Sequence, residues 1–174
     1  SAVAKVKNLL DANGYAVAAT DGTVPDLLTE IQDVGVFYID AHGTGFLDTV
    51  GFHDGAVWTS TIPSSASDSI FADLIATEEL IYLSAYDLDS NGVCREHTRY
   101  AFTSKFVENY MTFSENSLVF MNTCLLAGGL NNAGFEMANA FQTAGASVYA
   151  GWSEKITAAI SDKDGEFLND RMLG

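Results

Sequence analysis

Cysteine is scarce in this 174-residue chain, with only Cys94 and Cys124 present, and that excludes a scaffold stapled by several disulfides. Stability must come from a core. A chain of this length buries about 70% of its extended surface, which suits one domain over residues 1–174. A single Cys94–Cys124 bridge is the competing use of both thiols. Basic residues are scarce too: eight Lys and Arg stand against 23 Asp and Glu, a net charge of -15. Nucleic acid and anionic membrane would be repelled, so neither is expected as a partner. Cationic substrates would be attracted, although the same excess serves solubility equally well. No apolar run approaches the roughly 18 residues of a membrane span, so no membrane insertion is expected. A basic stretch followed by an apolar leader is missing at the start. The opening at Ser1 without methionine reads as a processed boundary that hides the targeting history.

Two stretches stand out in what is present. Val34-Gly-Val-Phe-Tyr-Ile-Asp-Ala-His-Gly-Thr-Gly45 and Leu118-Val-Phe-Met-Asn-Thr-Cys-Leu-Leu-Ala-Gly128 are each short apolar runs with β-branched and aromatic residues. Both are too short for a helix and end in a reactive side chain among small residues. As neighbouring parallel strands they would deliver His42 and Cys124 to one carboxyl edge, where open α/β sheets keep their sites.

The rest of the chain fits around these strands. Val3, Val6, Leu9 and Leu10 have helical spacing, and Asn13-Gly14 supplies a stop. Residues 15–20 read as a strand. Thr23 followed by Val24-Pro25 reads as a cap and first turn leading into Leu27, Leu28 and Ile31. Helix, strand, helix and strand in succession predict an α/β fold with a mostly parallel sheet flanked by helices. Such a fold normally opens on a strand, so a first strand is expected to be missing, cut away or donated by another chain.

After Gly45 a small β-hairpin insertion is expected, with Asp54-Gly55 as its turn and Val57-Trp58 on its second strand. Residues 63–68 read as a loop, 70–75 as a short helical piece and 79–85 as a strand. Arg99 to Tyr110 reads as a helix, with Phe102, Phe106 and Tyr110 four apart on a buried face. Residues 118–122 predict a strand, 128–132 a corner, 135–141 a helix closed by Gly145, and 147–149 a further strand before Gly151-Trp152-Ser153. Residues 156–160 and 166–173 carry too little pattern to assign, although another helix is expected to begin where the chain stops.

A thiol with an ordinary pKa near 8.5 needs a base or a positive neighbour to become a strong nucleophile, and an imidazole is the natural partner. Gly43 permits close backbone approach, and its amide, with that of Cys124, could hold the oxyanion of a tetrahedral intermediate. Asp40 is placed to orient His42 or simply to end the strand. The competing reading of each residue alone is a small buried hydrophobe and a satisfied loop histidine.

These motifs resemble the caspase-like superfamily of cysteine peptidases, nearer its bacterial clostripain and gingipain branches than true caspases. Asp40-Ala-His42-Gly43 resembles the family's histidine motif, and Met121-Asn-Thr-Cys124 its nucleophile motif. Ala138 to Ser153 resembles the segment leading to the last core strand and the specificity pocket. The resemblance implies a three-layer fold, here without its first strand and C-terminal end, and a Cys–His dyad that needs no third acid. Cys124 would attack a peptide or protein substrate, His42 would protonate the leaving amine, and Trp152 and Ser153 would line the pocket for the residue before the scissile bond. Trp58 could share that groove. Arg or Lys preference occurs in bacterial branches, and a secreted or cell-envelope location goes with them. The caspase Gln-Ala-Cys signature is missing, replaced by Asn122-Thr123-Cys124, so an aspartate preference is unsupported.

No cofactor is required by this chemistry. Asp87, Asp89 and Asn91 with Gly92 begin like a calcium loop, but Thr98 stands where the closing glutamate belongs, and an Asx-rich turn is the simpler reading. Asp40, Asp48, His53 and Asp54 match no usual zinc spacing. Gly43-Thr-Gly45 lacks the third glycine of a dinucleotide fingerprint and meets Asp48 instead. The expected function is thus a thiol endopeptidase. An inactive caspase-like interaction module and a domain that cuts only its own chain are the alternatives. An open sheet edge left by the missing strand would favour association with that strand or another chain.

Overall fold

Seven strands fall into two sheets in the computed structural model, which describes residues 2–49, 51, 53–88, 93–124, 126 and 133–155. The first is parallel, with β1 (Val34–Asp40) beside β6 (Phe113–Asn122) and β6 beside β7 (Val148–Gly151). The second is antiparallel in the order β2, β3, β5, β4, built from Gly43–Leu47, His53–Trp58, Cys94–Thr103 and Leu80–Leu88. The class is mixed α/β with a parallel sheet and flanking helices. A mostly parallel sheet holds only for the sheet that ends at His42 and Cys124. What was expected as a small hairpin is one edge of a four-stranded sheet.

The centre of the parallel sheet is β6, buried along its last six residues. In register with it, Phe37, Val119 and Tyr149 share one face, while Tyr38, Phe120 and Ala150 share the other. The first face is closed by α6 (Ala133–Thr143), whose Phe141 ring stands 6.0 Å from Phe37, 5.6 Å from Phe113 and 5.5 Å from Tyr149. Gly145, at φ 103°, turns the chain from α6 into β7, and its absent Cβ would lie 2.8 Å from the Phe113 carbonyl oxygen. Only glycine fits a left-handed residue pressed on backbone so closely. Met137 and Ala140 on α6, with Val57, Leu80, Tyr100 and Phe102, extend the same core under the antiparallel sheet.

Most local readings hold. The first helix α1 spans Ala2–Ala12, and Gly14 follows it at φ 84°. The second, α2 (Val24–Glu30), opens with a Thr23–Asp26 capping box and a proline in its first turn. Four readings are corrected. Residues 15–20 form no strand, because no strand among the described residues pairs with them. Residues 99–103 belong to β5, and the helix α5 is only Ser104–Tyr110. Phe102, Phe106 and Tyr110 still stack at 5.9 and 5.0 Å, and the aromatic spacing carried on across a strand–helix junction. Residues 63–68, read as loop, contain the start of α3 (Ser65–Ile70), because Ser64 and Ser67 cap each other's backbone; α4 follows at Ala72–Ala76. Asp54 and Gly55 are not a turn but lie inside β3, with Gly55 paired to Gly45. The corner at 128–132 and the stretches 156–160 and 166–173 lie outside the described residues.

Candidate active site

Asp40 is the register partner of Asn122, the last residue of each strand. His42 lies two residues beyond one and Cys124 two beyond the other, so the two reactive side chains leave matched positions on adjacent parallel strands. The intervening backbone is tightly packed. A Cβ on Gly43 would fall 2.9 Å from Thr123 Cβ, 3.0 Å from Thr123 Oγ1 and 3.1 Å from the Cys124 carbonyl oxygen. The His42-Gly43 backbone therefore rests on Thr123-Cys124, at a distance no other residue type allows. His42 is exposed, Cys124 is partly buried, and neither Cys94 nor Cys124 is in a disulfide.

Beneath this edge sits Asn122, 2% exposed. Its amide nitrogen donates to Tyr38 Oη at 3.1 Å and to Asp40 Oδ1 at 3.3 Å, and its Oδ1 accepts from Trp152 Nε1 at 2.9 Å. One buried amide thus ties the end of β1 to the segment after β7. Trp152 also packs edge-on against Phe120 at 6.3 Å, while Ser153 beside it is exposed. Asp40 is itself exposed and takes part in this cross-sheet network.

The antiparallel sheet supplies the other flank. The Trp58 amide donates to the His42 carbonyl at 2.9 Å, and the two rings meet edge to face at 4.7 Å. Arg99 lays its guanidinium over the same indole, 5.8 Å from the ring centre. Trp58 Nε1 and Thr123 Oγ1 are buried polar atoms with no hydrogen-bond partner among the described residues. One belongs to the ring against His42 and the other to the side chain against Gly43. Unsatisfied polar atoms are uncommon in folded proteins and concentrate where a ligand or water completes them.

Other candidate groups disperse. Asp87 ends in β4 opposite Arg95, with its side chain outside the described set, and Asp89 and Asn91 lie outside the described residues. Asp54 faces Ser104, whose hydroxyl donates at 2.8 Å, and Asp48 lies 4.0 Å from Lys105 Nζ. No cluster of His, Cys, Asp and Glu able to hold a metal occurs among the described residues. Burial pushes the Asp54 carboxyl above its ordinary value despite hydrogen bonds from Ser104 and the Gly55 amide.

No known protein family, curated protein or solved structure matches the chain. The site is therefore read from its own geometry. Four residues there escaped sequence reasoning as site components: Tyr38, Arg99, Asn122 and Thr123. Asn122 and Thr123 carried a signal, being two polar residues at the end of an apolar strand, where only burial with a partner would keep them. Arg99 carried none, because its approach to Trp58 depends on how β5 and β3 are paired.

Proposed function

We propose that this chain is a cysteine endopeptidase of caspase-like, three-layer type, with Cys124 as nucleophile and His42 as its proton partner. The observation that carries the reading is the seating of His42-Gly43 on Thr123-Cys124 at the shared carboxyl edge of β1 and β6. Cys124 Sγ, as thiolate, attacks the carbonyl carbon of the scissile bond. The oxyanion that forms is held by the amides of Gly43 and Cys124. Protonated His42 then gives its proton to the leaving amine as the C–N bond breaks, which leaves a thioester on Cys124. Water, losing a proton to His42, adds to the thioester, and the carboxylic acid product departs as the thiol is restored.

Specificity is proposed to lie with the residue before the scissile bond, with Arg or Lys preferred. Support comes from the net charge of -15 and from Asp40, which shares the Asn122 network with Trp152 beside the pocket wall of Trp152 and Ser153. Arg99 stands on the Trp58 flank, next to His42. Neither dyad step uses a metal or an organic cofactor.

The test is a fluorogenic peptide library with each amino acid in turn before the leaving group. It is run on the wild type, Cys124→Ala and His42→Ala, each with calcium and with chelator. Cleavage after Arg or Lys that disappears in both variants is the expected result. Silence from folded wild type, together with a Cys124 that alkylates no faster than a free cysteine, would overturn the reading.

A further inference from the structure

His42 is gripped from the antiparallel sheet as well as carried by the end of β1. Gly43 opens β2 in register with Val57 of β3, so the next pair outward on that ladder is His42 with Trp58. The 2.9 Å bond from the Trp58 amide to the His42 carbonyl closes that pair, and the two rings pack across it at 4.7 Å with their planes 77° apart. Trp58 is in turn the register partner of Ala101 on β5, and Arg99 lies two residues along β5 on the same face. Such a diagonal offset lets a long side chain cross to the neighbouring strand. The methyl group of Ala101 leaves the indole room, and the Arg99 guanidinium reaches 5.8 Å from the centre of the Trp58 ring. Arg99 Nη1 also donates to the Thr98 carbonyl at 3.0 Å, which anchors the guanidinium there. A row of contacts therefore runs from β5 through β3 to the imidazole at the edge it shares with Cys124.

We infer that Trp58 is a positioning residue for His42 and that Arg99 acts through Trp58. An exposed imidazole has several staggered rotamers, and only some of them can serve a thiol on the neighbouring strand. The indole packs against the ring and narrows that choice before any substrate arrives, while the cation on the indole holds the indole in turn. Orientation made in advance lowers the barrier of the step and leaves the affinity for substrate alone. The inference rests on the pairing of His42 with Cys124 in the peptidase reading, and it gives Trp58 a different duty there: support for the proton partner in place of contact with the peptide. Arginine suits the outer position because its flat guanidinium lies on an aromatic face, whereas lysine keeps the charge without the flat group.

The experiment uses the whole chain with Cys94→Ser, so that Cys124 is the one remaining thiol. Alkylation of Cys124 by iodoacetamide is timed in Trp58→Leu, Arg99→Met and Arg99→Lys, first with His42 intact and again with His42→Ala. With His42 present, Trp58→Leu is expected to slow alkylation at least about tenfold and Arg99→Met about threefold, with Arg99→Lys between wild type and Arg99→Met. Arg99→Met added to Trp58→Leu should cost nothing more, because the guanidinium then has no indole to hold. Once His42 is alanine, every one of these changes should lose its effect. On a peptide that the wild type cleaves, the same variants should lower kcat and leave KM within about twofold. Circular dichroism checks the fold of each variant, and the half-buried Arg99 carries the test by itself if Trp58→Leu unfolds. Wild-type alkylation rates in the folded variants would overturn the inference, as would losses that persist without His42. So would a rise in KM at unchanged kcat, which would make Trp58 a wall of the peptide groove. Alkylation that His42→Ala by itself leaves unchanged would overturn this inference and the dyad together. A wild type that cleaves no peptide while the His42-dependent pattern holds would sink the peptidase reading alone and leave the positioning role standing.

Discussion

Replacing Gly43 with alanine adds one methyl group at the point where the two halves of the candidate dyad meet. The added carbon would stand 2.9 Å from Thr123 Cβ and 3.1 Å from the Cys124 carbonyl oxygen, both well inside van der Waals contact. Neither neighbour yields cheaply. Thr123 is 1% exposed, and Asn122 before it is fixed by contacts to Tyr38, Asp40 and Trp152. Overpacking of this kind costs about 1–3 kcal/mol. At about 2 kcal/mol a chain of this size loses roughly 4–8 °C of melting midpoint. The strain is relieved by separating the His42 and Cys124 backbones, so the alkylation rate of Cys124 and kcat/KM are expected to fall further than stability does. Gly35→Ala is the control, because its Cβ would meet only Ser114 Oγ at 3.5 Å, an ordinary contact. Thermal melts and iodoacetamide kinetics on both variants decide the matter. A Gly43→Ala protein that melts and alkylates like Gly35→Ala would refute the seating of one segment on the other.

Three further outcomes follow from the same structure. Asn122→Ala removes two donated bonds and one accepted bond from a buried network and is expected to cost about 2–3 kcal/mol in denaturant unfolding, with a shift in Trp emission as Trp152 loses its acceptor. The Asp54 carboxyl is held above its ordinary 3.8 by burial, so the folded state binds the proton more tightly than the unfolded one. Stability from this group is complete below pH 3.8 and falls as pH rises through the raised value. The advantage of Asp54→Asn over wild type should therefore grow with pH across that window and then level off, as urea titrations at successive pH values would show. The Tyr82 phenol is pushed up to about 12, first by its hydrogen bond to Asp68 and then by desolvation. Ultraviolet titration of Asp68→Asn should bring that phenol back toward 10, and an unchanged late-titrating phenol would count against the contact.

Elements decided by neighbouring residues were legible in the chain itself. The Thr23 cap with its proline, the stop at Gly14, the bend at Gly145 and the apolar runs at 34–40 and 118–122 each depend on a few consecutive side chains, and each stands where the pattern put it. The matched endings of the two runs also placed His42 and Cys124 together, because parallel strands in register export equivalent positions to one edge. Readings failed where distant segments decide. The aromatic spacing of 102, 106 and 110 suits a helix, yet pairing with β3 and β4 held residues 99–103 in a strand, since ladder bonds and burial outweigh a local period. Residues 15–20 have strand composition but no strand beside them among the described residues, and a strand exists only through its partner. Arg99 over Trp58, Asn122 joining Asp40 to Trp152, and the fit of Gly43 on Thr123 all join residues 30 to 80 or more positions apart, or from separate strands. Sequence determined which side chains reach the edge of the sheet, because strand periodicity is local; tertiary structure alone decided what they meet there, because sheet pairing and packing are not.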